Sequence, residues 1–165
     1  MAPDFDFELT KPVPVARETK DDTASEVRDL KKILAAEGAA VETYKKVLRK
    51  FPDFKQLNDF KDILQGHKKA VEFWKTQLRS KDIHIKDVPG PWSNVVATLS
   101  ADESLGSLSL TLQELKLGEV HQLSKYEELV LHNKVNFQSA SFIRNICLDQ
   151  QRKHLAMLEG LMGFA

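Results

Sequence analysis

The sequence is poor in the residues that interrupt helices or cross-link a chain. Of its 165 residues, 7 are glycine, 6 are proline and 1 is cysteine. A single cysteine excludes an internal disulfide, and every apolar run is too short to predict a membrane-spanning helix. Glycine and proline are concentrated between long segments of apolar periodicity, which favours an all-α protein.

Charge of one predominant sign is also lacking. The 24 Lys and Arg residues balance the 24 Asp and Glu residues, so the composition favours neither a nucleic acid nor an anionic membrane as partner. The beginning of the sequence has no basic patch followed by an apolar run, which a secretory signal requires. We therefore expect a cytoplasmic protein with no nucleic-acid and no membrane partner.

Two parts of the chain differ in character. Residues 1–22 contain three prolines and dense charge, which argue against a helix and predict an extended or mobile tail. Residues 23–165 are enough for one domain with a sizeable core. The sequence therefore predicts a tail followed by a single domain.

The first half of this domain predicts a helical hairpin. Its first helix begins near Thr23, which has capping-box spacing to Glu26, and runs to about Lys50. The sequence FPD at residues 51–53 breaks this helix, and its aspartate can cap a second helix that ends at about Arg79. A break this short predicts that the two helices are antiparallel neighbours.

A long connection follows, and Pro-Gly-Pro within residues 80–92 forbids a continuous helix there. Residues 92–99 can form a short extra helix over one end of the bundle. A third helix begins at Asp102 or Ser104 and ends near His132. After a turn at residues 133–136, a fourth helix extends to about residue 160. The sequence thus predicts an all-α, antiparallel four-helix bundle made of two hairpins joined by a long crossover.

Apolar residues recur along all four helices at the three- and four-residue spacing that faces a bundle core. Each apolar stripe contains one ionisable residue near its middle, and these are Glu37, His67, Glu119 and His154. We call these four residues the polar quartet. A buried charge without a partner costs several kcal/mol. Because each pair lies at a similar distance from its interhelical turn, we predict that the four side chains meet in the core.

The two halves of the domain repeat this pattern. Tyr44 follows Glu37 by seven residues, and Tyr126 follows Glu119 by seven residues. Each tyrosine is either a core aromatic with one hydroxyl partner or a redox relay beside a metal. The repeat indicates a site near a pseudo-twofold axis. The residues predicted to flank the quartet are Tyr44, Tyr126, Gln122 and Gln151.

Three glycines lie next to members of the quartet. Gly38 and Gly118 each adjoin a glutamate, and Gly66 precedes His67. A glycine inside a helix costs about 1 kcal/mol relative to alanine. Close approach of neighbouring helices would explain these glycines, and simple tolerance is the alternative.

The quartet resembles the metal ligands of the ferritin-like superfamily of carboxylate-bridged di-iron bundles. In that pattern two helices each supply a glutamate, and the other two each supply Glu-x-x-His. By this resemblance the glutamates of the quartet match the lone glutamates, and its histidines match the two histidines. Leu64 and Gln151 stand where the bridging glutamates are expected. The resemblance therefore implies a di-metal site that has lost both bridges.

The chain more closely resembles a bacterial ferritin-like family whose members are described as domains of unknown function. LKLGEVHQLSKYEELV at residues 115–130 is similar to its third-helix motif, and EGAAVETYKKVL at residues 37–48 is similar to the first-helix counterpart. The connection, with its proline, glycine and Trp92, also fits. The resemblance extends over about residues 26–160 and implies the fold more than an activity.

Three interpretations of function remain open. The preferred one is a non-catalytic bundle with a degenerate di-metal site, in which the quartet forms two Glu–His pairs and holds no metal. The second is a protein that binds one Fe, Zn or Mn ion through Glu37, His67, Glu119 and His154, or a metal-dependent oxidoreductase that uses this site. The third is a partner-binding or self-associating helical module, for which we expect a homodimer.

Overall fold

The computed structural model of the protein describes residues 20–79, residue 92 and residues 108–163. All regular structure in these residues is helical, and four helices pack together. The helices are α1 (Lys20–Lys50), α2 (Leu57–Arg79), α3 (Leu108–Leu131) and α4, in which the α-helical segments Phe137–Phe142 and Leu148–Met162 are joined by the π-helical segment Ile143–Cys147. The predicted all-α class is confirmed.

The four helices form two hairpins. α1 packs mainly against α2, and α3 packs mainly against α4, while smaller contacts join α1 to α3 and α2 to α4. Tyr44 contacts Glu119 on α3, whereas Glu37, earlier on α1, contacts Tyr126. α1 and α3 therefore run in opposite directions, so that α2 and α3 run in the same direction. The chain between α2 and α3 consequently connects opposite ends of the bundle.

α1 begins before its predicted start at Thr23, because the helix already includes Lys20. The predicted capping box is therefore wrong, since Thr23 lies inside the helix. Glu26 is buried, and its Oε1 accepts a hydrogen bond from the backbone N–H of Asn136 over 3.0 Å. This bond ties the beginning of α1 to the turn between α3 and α4. The remainder of the predicted tail, residues 1–19, lies outside the described residues.

The break between α1 and α2 is longer than predicted. Consecutive turns fill it, because the N–H of Phe54 bonds to the carbonyl of Phe51 and the N–H of Leu57 bonds to the carbonyl of Phe54. α2 begins at Leu57, so the prediction that Asp53 caps this helix is wrong. The predicted short helix at residues 92–99 lies outside the described residues except for Trp92, as does the predicted start of the third helix.

The turn between α3 and α4 lies where the sequence predicts it. Asn133 has a φ of 49°, a left-handed conformation that asparagine tolerates better than most residues. The side chain of Asn136 accepts a hydrogen bond from the backbone N–H of Ser139 over 2.8 Å. Asn136 is therefore the N-cap of α4.

The π-helical segment explains the looser apolar spacing of the fourth helix. Ile143, Cys147 and Gln151 follow one another at four-residue intervals, and all three are buried. In a regular α-helix, a side chain eight residues after Ile143 would point in a different direction from that of Ile143 and would not face the core. A π turn contains more residues than an α turn. The segment therefore keeps Ile143, Cys147 and Gln151 on one face of α4.

Two clusters of buried apolar side chains fill the bundle. One contains Phe60, Leu115 and Leu158, and the other contains Trp74 and Leu129. On every helix the polar quartet falls between the two clusters, so the four ionisable residues form a single layer. The predicted meeting of the quartet in the core is confirmed. None of the helices in the described ranges combines the length and apolar character that a bilayer crossing requires.

Candidate metal centre

His67 lies at the centre of the polar layer. Its Nδ1 is 2.6 Å from Oε2 of Glu37, and its Nε2 is 2.9 Å from Oε1 of Glu119. The ring of Tyr44 stacks on the imidazole with centroids 5.5 Å apart, and Trp92 contacts it edge-on at 5.7 Å. One buried imidazole therefore links α1, α2 and α3.

The charges of this centre stabilise one another. Burial disfavours the imidazolium, but the carboxylates of Glu119 and Glu37 outweigh it and raise the pKa of His67 from 6.5 to about 10. Burial also opposes the charge of Glu119, yet the positive His67 and the nearby His154 hold the pKa of Glu119 well below its ordinary value. The two acidic side chains therefore favour the protonated form of His67 in the metal-free protein.

Glu37 uses both of its carboxylate oxygens. Oε1 accepts hydrogen bonds from the hydroxyl of Tyr126 and from Nε2 of Gln122, the latter over 3.0 Å. Oε2 faces His67. Trp74 donates to the hydroxyl of Tyr126 over 3.0 Å and orients that hydroxyl towards Glu37. Both carboxylate oxygens of Glu37 thus have partners within the protein.

Glu119 uses only one of its oxygens. Oε1 accepts from the hydroxyl of Tyr44 over 2.7 Å and faces His67, whereas Oε2 has no hydrogen-bond partner among the residues that the structure describes. Nδ1 of His154 is 3.4 Å from this oxygen and also lacks a hydrogen-bond partner. Buried polar atoms without partners are rare in native proteins and call for an ion or water. These two atoms lie at ion-pair distance from each other, and together they form a candidate position for a shared ion.

His67, Glu119 and His154 bring one ligand atom each to this site. These atoms all lie within 4.8 Å of one another, and all three residues are buried. The group includes three of the four predicted ligands. Glu37, the fourth, contacts the opposite ring nitrogen of His67 and is not part of it. The predicted Glu–His pairs are both present, Glu37 with His67 at 2.6 Å and Glu119 with His154 at 3.4 Å. His67 contacts Glu119 in addition, so the two pairs are joined.

Two of the three glycines make room for site residues. A Cβ on Gly66 would lie 2.7 Å from Nε2 of His154, and a Cβ on Gly118 would lie 2.6 Å from Cζ3 of Trp92. Both distances are shorter than van der Waals contact. A Cβ on Gly38 would meet nothing within 4 Å. Close approach of α4 therefore explains Gly66, whereas Gly118 makes room for the side chain of Trp92 in the connection and not for a helix. No atom of the described residues requires a glycine at position 38.

The predicted flanking residues are also in the polar layer, because Tyr44, Tyr126, Gln122 and Gln151 are all buried. The hydroxyls of both tyrosines bond to glutamates of the quartet. Oε1 of Gln122 and Nε2 of Gln151 lack hydrogen-bond partners. Cys147 is buried, and this burial raises the pKa of its thiol.

Trp92 is a site residue that could not be predicted from the sequence. Trp92 is fully buried and contacts both Tyr44 and His67. It belongs to the long connection, which has no helical periodicity from which burial could be predicted. The only signal was a large aromatic residue beside Pro-Gly-Pro in an otherwise polar segment.

Comparison of the chain with protein-family models, with curated proteins and with solved structures gives no significant match. Function therefore has to be inferred from the geometry and chemistry of the polar layer.

Proposed function

We propose that the protein is a ferritin-like bundle that binds one transition-metal ion through His67, Glu119 and His154. The observation that carries this proposal is the pair of buried, unpartnered atoms, Oε2 of Glu119 and Nδ1 of His154, beside the imidazole of His67. A bound ion would satisfy both atoms at once. It would also offset the excess of negative charge that two acidic side chains leave around one imidazolium.

The donor set favours some metals over others. Two imidazoles and one carboxylate suit Fe(II) and Zn(II), whereas Mn(II) prefers sites richer in oxygen ligands. Three protein ligands also leave coordination positions for water or another small ligand. Of the three metals expected from the sequence, Fe(II) and Zn(II) therefore fit these residues best.

A second metal ion has too few ligands in this layer. Both positions of the bridging glutamates lack a carboxylate, since they are Leu64, which is part of the apolar core, and Gln151, a neutral amide. Glu37 already accepts hydrogen bonds on both oxygens. The proposal is therefore a mononuclear site, and we do not assign the protein a di-iron oxidase or iron-storage reaction.

Binding also requires a change in protonation. A ligand imidazole offers a lone pair, so His67 has to release the proton from Nε2 before that nitrogen can hold a metal. Nδ1 keeps its proton and its contact with Glu37. Metal ion and proton therefore compete for the same nitrogen.

The ferritin-like part of the proposal rests on the arrangement of helices and ligand residues. Two antiparallel hairpins, with α2 and α3 running in the same direction, require a connection along the bundle. Glutamates on α1 and α3 and histidines on α2 and α4 meet in one layer. A crystal structure would test this topology directly, and a connection that does not run between opposite ends would contradict it.

Metal analysis of the full-length protein tests the binding site. Protein purified without chelator and titrated with Zn(II), or with Fe(II) in the absence of oxygen, should hold one ion per chain. His67→Gln and His154→Gln should abolish this binding. His121→Gln is the matched control, because His121 lies on the exposed side of α3. Substoichiometric metal under all conditions would contradict the proposal and favour the metal-free polar cluster.

An oxygen-consumption assay with added Fe(II) separates a binding protein from an oxidoreductase. Under the present proposal, the wild-type protein consumes oxygen no faster than the double variant His67→Ala, His154→Ala. Turnover above that control would assign an oxidase activity to the site. Both proteins would first be compared for helix content, so that unfolding of the double variant is not mistaken for lost activity.

The predicted homodimer stays a prediction. Leu117 and Val120 of α3 are 64% and 46% exposed, and their spacing places them next to each other on one side of the helix. Sedimentation velocity over a range of concentrations tests self-association. A monomer at every concentration would contradict it.

A further inference from the structure

We propose that Glu37 is a positioning residue, which holds the imidazole of His67 through Nδ1 so that Nε2 faces Glu119 and His154. This inference rests on the proposed metal site and goes beyond it. Glu37 and Glu119 occupy equivalent positions in the sequence repeat, and both were expected to bind metal. The contacts around them assign one glutamate to orientation and the other to the metal.

The first difference between the two glutamates is whether both carboxylate oxygens have hydrogen-bond partners. Both oxygens of Glu37 are engaged, by Tyr126 and Gln122 on one side and by His67 on the other. Oε2 of Glu119 is buried and unpartnered. To bind the metal, Glu37 would have to give up a buried, charge-assisted hydrogen bond. Metal binding through Oε2 of Glu119 breaks no hydrogen bond of the described residues.

The geometry of the imidazole ring gives the second argument. The two nitrogens of one ring point in divergent directions, and Glu37 lies 2.6 Å from Nδ1 while Glu119 lies 2.9 Å from Nε2. A group bonded to Nδ1 therefore faces away from an ion on Nε2. Ligand histidines commonly donate their second N–H to a carboxylate, which fixes the tautomer and the orientation of the ring. Glu37 is placed to do this for His67.

Other side chains hold Glu37 in this role. Tyr126 donates to Oε1 of Glu37 and accepts from Trp74, so its hydroxyl has little freedom to turn away. Gln122 donates to the same oxygen over 3.0 Å. Two residues of α3 therefore hold the carboxylate of Glu37 in the orientation that faces His67.

The tautomer of His67 in the Zn(II)-loaded, full-length protein is a direct test. Long-range ¹H–¹⁵N NMR spectra distinguish a protonated ring nitrogen from one bound to metal. We expect His67 to carry its proton on Nδ1 and the metal on Nε2, with the signals assigned from a His67→Gln spectrum. Metal on Nδ1 would overturn the inference and leave the metal site itself intact. Failure of the wild-type protein to bind Zn(II) would instead overturn the proposed function.

The isosteric variants Glu37→Gln and Glu119→Gln form a matched pair for a second test, with Co(II) as a spectroscopic probe. Glu37→Gln should weaken binding by about 10- to 100-fold, with the position and intensity of the visible bands unchanged. Glu119→Gln should alter the bands themselves, because a ligand is lost. Altered bands in Glu37→Gln would identify Glu37 as a ligand and overturn the inference.

Tyr126→Phe keeps this test decisive should Glu37→Gln fail to fold. This variant removes a hydrogen bond to Glu37 without changing Glu37 or any of the three proposed ligands. We expect weaker Co(II) binding, by less than in Glu37→Gln, with unchanged bands. Unchanged affinity in Tyr126→Phe would contradict a positioning role that depends on this network.

Discussion

The hydroxyl of Tyr44 donates a hydrogen bond to Oε1 of Glu119 over 2.7 Å, between residues 75 positions apart. Tyr126 donates to Glu37 in the same way. The tyrosine of each hairpin thus bonds to the glutamate of the other hairpin. These crossed bonds join the two hairpins at the polar layer, where apolar packing is interrupted.

Removing either tyrosine hydroxyl should destabilise the bundle. Tyr44→Phe and Tyr126→Phe each delete a buried hydrogen bond to a glutamate, and we expect each to lower the free energy of unfolding by about 1.5–3 kcal/mol. Urea denaturation followed by circular dichroism measures the change.

A double-mutant cycle tests whether the loss at Tyr44 comes from its bond to Glu119. Tyr44→Phe and Glu119→Gln should be non-additive, because the two side chains share one hydrogen bond. Tyr44→Phe and Glu26→Gln are the control pair, since Glu26 lies near the beginning of α1 and bonds to Asn136. Additivity of the first pair within about 0.5 kcal/mol would contradict the proposed origin of the stabilisation.

We also expect the two tyrosines to limit the stability of the folded protein at high pH. They are the 2 tyrosines of the chain, and burial, followed by the adjacent carboxylates, raises the pKa of both well above 10.0. Only the unfolded state ionises them near that pH. Their contribution to stability is therefore complete below pH 10 and decreases as the pH rises further.

Ultraviolet absorbance of the phenolate and circular dichroism, recorded in one alkaline titration, test this expectation. Phenolate absorbance should rise together with the loss of helix, because ionisation requires unfolding. Phenolate formation near pH 10 with the helices intact would show that the hydroxyls are accessible and would contradict the buried network.

Two glycines that each adjoin a glutamate of the polar quartet should respond in opposite ways to alanine. Gly118→Ala places a methyl group against Trp92, and overpacking of this kind costs about 1–3 kcal/mol. Gly38→Ala meets nothing within 4 Å and should stabilise α1 by up to about 1 kcal/mol through helix propensity. Thermal unfolding of the two variants provides the measurement. Equal changes in the unfolding temperature of the two variants would contradict the close contact between Trp92 and Gly118.

Helical periodicity alone predicted much of this architecture. Burial of Glu37, His67, Glu119 and His154 follows from the position of each residue within one amphipathic helix, which is a local property. The asymmetry of the site is not local. Which histidine lies between the glutamates depends on the rotation and axial shift of whole helices, and side-chain packing fixes both.

Other features could not be predicted because a competing interaction decides them. Thr23 matches a capping box, yet the helix continues past it and Glu26 bonds to Asn136 instead. The π-helical segment Ile143–Cys147 shifts the register of α4, and the spacing of apolar residues does not by itself distinguish such a segment from an α-helix. Tertiary contacts with His67 and Gly118 determine the position of the Trp92 side chain. Each of these features arises between elements distant in sequence.

Gly66 offers a way to test the position of His154 without changing any proposed ligand. A Cβ there would lie 2.7 Å from Nε2 of His154, so Gly66→Ala should displace the ring and move Nδ1 relative to Glu119. We expect weaker Zn(II) binding, measured by competition with a chromogenic chelator, together with a helix content close to that of the wild type. Gly38→Ala is the matched control and should leave the affinity unchanged, because its methyl group contacts no site residue. Equal Zn(II) affinity in both variants would show that His154 does not bind the metal in the position described.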